Sequence, residues 1–132
     1  MIETVRSRQG DVLAYLVRGN TSPDQTQFLT PPDCNLQVGH VVYAGGTEIP
    51  RHVHLPIERH IVGSVEVLIV RRGRCAVDVY TDGRELVTTR EMGVGDMLIA
   101  VGGGHGFRVL EDLVLLEIKQ GPYPGGAEKE RF

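Results

Sequence analysis

At 132 residues with a formal charge of −3, the chain is long enough for one domain with a buried core. It has no basic run, and clustered Lys and Arg are what a nucleic-acid surface needs, so nucleic acid is excluded as a partner. No apolar stretch approaches the length of a bilayer span, and Met1 to Gly10 is charged where a signal peptide is apolar, so the expectation is a soluble, cytoplasmic protein without membrane contact.

The 17 glycines and 7 prolines are spread along the chain and punctuate many short elements, which is an all-β composition. Asp11 to Val17 predicts a first strand closed by Gly19-Asn20. Thr21 to Asp33 holds Pro23, Pro31 and Pro32 and predicts a surface connector anchored by Phe28 and Leu29. Leu36 to Ala44 alternates, with Leu36, Val38, His40 and Val42 on one face, and predicts a full strand ended by Gly45-Gly46. After His52 and His54, the proline-broken stretch Leu55 to Ser64 predicts an extended hairpin connection. Val65 to Val70 is the most apolar run and predicts a strand buried on both faces. Arg71-Arg72-Gly73 turns the chain, Arg74 to Thr81 alternates again, and Asp82-Gly83 is a strong hairpin signal before a returning strand, Arg84 to Glu91. Asp96 to Val101 predicts another strand. Phe107 to Leu110 and Leu113 to Lys119 predict a last hairpin about Glu111-Asp112, followed by an irregular tail from Gln120 to Phe132. No window sustains a helical period, so the series of short strands calls for a sandwich or small barrel. Cys34 and Cys75 lack a pairing signature and read as free thiols of a reducing compartment.

His52 and His54 are one residue apart, so on an extended segment their imidazoles point the same way and can converge on one ion. A carboxylate on the next strand and a later histidine, His105, complete a mixed imidazole and carboxylate set of the kind that divalent transition metals bind. Glu66 and Glu58 compete for the carboxylate role. Glu66 is preferred because it opens the apolar strand, whereas Glu58 sits beside Arg59 in a proline-containing segment. The plainer reading of His52 and His54 is an exposed polar pair, and that of His40 and His60 is a rim and a solvated histidine. Gln37, Tyr43, Arg59, Phe107 and Tyr123 are candidates for pocket lining whose plainer reading is packing or surface. Gly102-Gly103-Gly104 is not a phosphate cradle, since no helix follows it.

These motifs resemble the cupin superfamily. The resemblance rests on Gly46, five residues, His52-Val53-His54, then Glu66, six residues and Gly73, and on a second block from Gly95-Asp96 through Gly102-Gly103-Gly104-His105. Two departures stand out: Glu66 follows His54 after eleven residues instead of the usual three or four, and the family's proline before the last histidine is missing. The closing run Glu117 to Tyr123 and Lys129 to Phe132 is also similar to a small bacterial subgroup of the family.

The resemblance implies a double-stranded β-helix or jelly-roll barrel. It covers Leu36 to Lys119, with an N-terminal strand and loop before it and the tail after it. It also implies a homodimer and a metal inside the barrel held by His52, His54, Glu66 and His105. Fe, Mn, Ni and Zn all accept such ligands. Such an ion polarises a carbonyl or enediol, and the expected function is dioxygenase or isomerase chemistry on a small oxygenated molecule such as a sugar derivative or diketone. Two alternatives stay open: a non-catalytic module that captures a sugar or organic acid, and a metal-free sugar-nucleotide epimerase or isomerase in which a histidine paired with a carboxylate moves a proton.

Overall fold

Much of the apolar alternation becomes antiparallel strand in a computed structural model that describes Met1 to Phe132. Eight strands form: β1 (Ile2–Arg6), β2 (Val12–Val17), β3 (Gln27–Phe28), β4 (Gly39–His40), β5 (Glu66–Tyr80), β6 (Leu86–Met92), β7 (Met97–Ala100) and β8 (Gly104–Lys119). A 3-10 turn at Gly125–Glu128 is the only helix, so the fold is all-β, and no helix is long and apolar enough to cross a membrane. The chain divides into two compact units, Met1–Thr21 with Ser64–Phe132, and Ser22–Gly63.

The first unit is one curled six-stranded antiparallel sheet built around β5. β8 pairs with β5 along its whole length. On the other edge, β7 covers the first half of β5 and β6 the second, and β2 and β1 continue beyond β7. Straight, a strand of this length would span roughly 50 Å. It bends instead at Gly73, whose φ of 82° belongs to the left-handed region and whose α-carbon lies against the Asp112 carbonyl with no room for a side chain. The register shifts there, so the inward positions of β5 switch from Glu66, Leu68 and Val70 to Cys75, Val77 and Val79. All of these except Glu66 meet Leu13, Leu16, Met92 and Leu98 in the core, with Phe107, Leu113 and Leu115 of β8 packed against it. The run from Val65 to Val70 is buried apart from half-buried Ile69, as a strand covered on both faces requires.

Two expectations about this unit are corrected. The turn at Arg71-Arg72-Gly73 is a bend inside a continuous strand, and the hairpin expected about Glu111-Asp112 does not form, because those residues bulge opposite Gly73 while β8 runs on to Lys119. β1 had no counterpart among the predicted strands. Asp82-Gly83 does lie in the β5–β6 hairpin, where the left-handed non-glycine residue is Arg84, with φ of 68°. Asp96 pins the entry to β7: its carboxylate accepts from the Gly19 and Gly93 amides at 2.8 and 2.9 Å and from Arg18 at 3.0 Å. Burial pushes the Asp96 carboxyl up, but those hydrogen bonds outweigh it and hold it below the usual carboxylate range.

In the second unit, β3 and β4 form a two-residue ribbon in which Gly39 leaves room for the Phe28 ring. The Gln37 side chain donates to the Pro31 and Cys34 carbonyls at 2.9 and 3.0 Å, and Thr30 accepts from the Val38 amide at 3.0 Å. The full strand expected from Leu36 to Ala44 shrinks to Gly39–His40. Its only facing segment lies between Pro23 and Pro31-Pro32, which cannot extend a ladder. From Val41 to Gly63 there is no strand, and every residue is exposed; the expected hairpin connection has no strand before it to connect.

Candidate functional site

Glu66 opens β5 and is 8% exposed, a rare depth for a carboxylate without partners. Ala100, the last residue of β7, stands opposite Glu66, and the chain then turns through Gly102-Gly103. The Val101 and Gly102 amides both donate to the Leu13 carbonyl, and Gly103, at φ of 61°, packs against the Tyr80 carbonyl where no side chain fits. This turn delivers His105, the second residue of β8, so that its Nε2 stands 3.1 Å from Glu66 Oε2, an ion pair whenever the imidazole is protonated. The Phe107 ring meets the imidazole edge-on at 5.8 Å between centroids.

The other end of β8 supplies a residue that the sequence did not single out. Lys119 is the cross-strand partner of Glu66 and holds its Nζ 3.8 Å from Oε1. The ammonium also bonds Glu128 at 2.8 Å, lies 3.9 Å from Glu117, and sits over the Tyr123 ring at 4.7 Å. The Glu128 hydrogen bond raises the Lys119 pKa, and the same bond holds the Glu128 carboxyl below its ordinary range. Glu128 arrives on the tail, which folds back along the first unit: Ser64 donates to Glu128, Arg84 pairs with Glu130 at 2.8 Å, and the Phe132 ring packs edge-on against Tyr80 at 5.1 Å. Beside this cluster, Gln120 Oε1 accepts from the Val65 amide at 2.9 Å, while its buried Nε2 has no partner. The signal for Lys119 was parity: once Glu66 faces inward, its partner on the last strand faces inward too.

His52 and His54 belong to the second unit, on the exposed segment after β4 and not on a strand. Their rings stand edge-on with centroids 5.3 Å apart. His52 Nδ1 is 2.9 Å from the Pro50 carbonyl, and because that carbonyl can only accept, Nδ1 carries the proton and Nε2 keeps its lone pair for a ligand. Glu58, Arg59, His60 and Tyr43 are exposed on the same segment, and His40 holds a buried Nδ1 without a partner. The structure thus joins Glu66 to His105 and His52 to His54.

No group of three or more His, Cys, Asp and Glu side chains stands together as a metal-holding set. Glu66 and His105 offer one carboxylate and one imidazole, two donors where a catalytic metal site takes three protein ligands. No protein-family model, no curated protein and no solved structure matches the chain.

Proposed function

We propose that the chain is a cupin, a double-stranded β-helix protein of the cytoplasm. In this reading it binds a divalent transition metal and acts on a small oxygenated molecule, such as a sugar derivative or diketone, by dioxygenase or isomerase chemistry. The supporting observation is the Glu66–His105 contact. Two residues far apart in sequence, each singled out as a ligand, meet inside the sheet at 3.1 Å with Glu66 buried. His52, His54, Glu66 and His105 would hold the ion, with Fe, Mn, Ni and Zn all compatible. A bound ion there polarises a substrate oxygen and lowers the pKa of a bound water or hydroxyl. Glu66 stands against the His105 imidazole, the Phe107 ring lies edge-on beside it, and two free thiols, Cys34 and Cys75, suit a reducing compartment.

Metal analysis of freshly purified protein tests this reading. About one ion per chain is expected, with loss in Glu66→Gln and in His105→Ala and retention in Glu58→Gln. Metal content unchanged by both Glu66→Gln and His105→Ala overturns it.

A second reading is favoured by Lys119, whose ammonium stands on the other oxygen of Glu66, where a cation would otherwise be drawn. In that reading His105, held by Glu66, takes a proton from a carbon beside a carbonyl, and Lys119 donates to the oxygen that becomes negative. Solvent deuterium entering a keto sugar or sugar nucleotide with chelator-treated protein supports it, provided His105→Ala removes the exchange. Ligand binding with neither exchange nor turnover assigns the chain to a binding module.

A further inference from the structure

Two features of the molecule each lack a partner. β8 is hydrogen-bonded to β5 along one edge and to no strand along the other, and its outward side chains Val114, Leu116 and Ile118 are exposed. A long apolar edge of this kind is a template for another strand. The arm from Val41 to Gly63 belongs to no strand and exposes Val53 at 83% together with Leu55, Ile57, Ile61 and Val62. A segment this long and this apolar without a strand or helix of its own is the other half of such a pairing.

We infer that the arm of one chain lies antiparallel along the β8 edge of a second copy, and that the second copy's arm does the same in return. A two-fold exchange occupies both edges and both arms and closes on itself. One register satisfies every feature at once. With Val53 opposite Ile118, Leu55 falls opposite Leu116, Ile57 opposite Val114, Arg59 opposite Asp112 and Ile61 opposite Leu110. The apolar side chains then cover one another on the outer face, and the one charged pair is of opposite sign. Pro50 and Pro56, which have no N–H to give, suit an outermost strand.

The same register fixes where the histidines point. The inner face of β8 carries His105, Phe107, Leu115 and Lys119, so an arm whose odd residues face outward turns His52 and His54 inward, beside Lys119 and Glu117. The histidine pair of one copy therefore joins the face that holds the other copy's Glu66 and His105. This last step rests on the metal reading proposed above, whereas the strand exchange does not.

The full chain in a Cys34→Ser background tests both. The expected results are a dimer by light scattering and, on mild oxidation, a link between Val53→Cys chains and differently tagged Ile118→Cys chains. Val53→Cys with Leu113→Cys, which faces the core, stays unlinked. A monomer, linking only within one chain when both cysteines are placed together, or equal linking of the control overturns the exchange. For the ligand set, chains carrying His52→Ala and His54→Ala are co-expressed with His105→Ala chains and the mixed dimer is purified by its two tags. It is expected to hold one metal ion per two chains while each parent holds none. Metal held by a monomeric wild type leaves the metal reading standing and overturns the exchange. Cross-linked dimers that bind no metal do the reverse.

Discussion

At the scale of single residues, Gly73 and Asp96 carry more of the structure than their size suggests. Gly73 sits at positive φ with the Asp112 carbonyl where a side chain would go, so Gly73→Ala combines backbone strain with overpacking. A loss of about 3 kcal/mol is expected in denaturant unfolding, against a near-neutral result at exposed Gly83. Asp96 binds two loop amides and Arg18, and its folded-state carboxyl lies below the ordinary carboxylate range. A depressed folded value means that this stabilisation is complete above the unfolded pKa, roughly 4, and is lost as pH falls through the folded value. Asp96→Asn is therefore expected to lower stability at neutral pH and to flatten the acid limb of a stability-against-pH curve; an acid limb as steep as wild type contradicts the assignment.

At the scale of elements, β7 is the short strand that joins β2 to β5. It pairs with β2 on one side and β5 on the other, and Leu98 at its centre is fully buried. Leu98→Ala leaves a cavity between three strands, and a loss of about 3 kcal/mol is expected from thermal or urea unfolding. β2, β6 and β7 were legible in the sequence because short runs of strand-forming residues lie between glycine or Asp-Gly turns. The apolar run of β5 was legible for the same reason. The turns expected at Gly73 and at Glu111-Asp112 were misplaced, because a glycine at positive φ and an acidic pair mark a tight turn and a bulge equally well, and only the facing strand decides between them. Glu66 and His105 could be singled out from residue type and spacing. Lys119 could not, since its position depends on the register of Glu66 against a strand that lies far along the chain. The strand expected at Leu36 to Ala44 failed for want of a neighbour, as alternation states which face is apolar and not whether a partner exists.

At the scale of the whole molecule, the candidate ligands fall in two compact units, with Glu66 and His105 in one and His52 and His54 in the other. A mixed dimer that regains metal from two inactive parents is the observation that reads this division as reciprocal sharing between copies. The sheet order has a different consequence, one of timing. β2 finds its second neighbour only in β7, roughly eighty residues later in the chain. At about 5–20 residues per second of synthesis, the β1–β2 hairpin waits on the order of ten seconds with Leu13, Leu16 and Val17 uncovered. Cover for the first hairpin thus arrives only with the emergence of Met97 to Ala100.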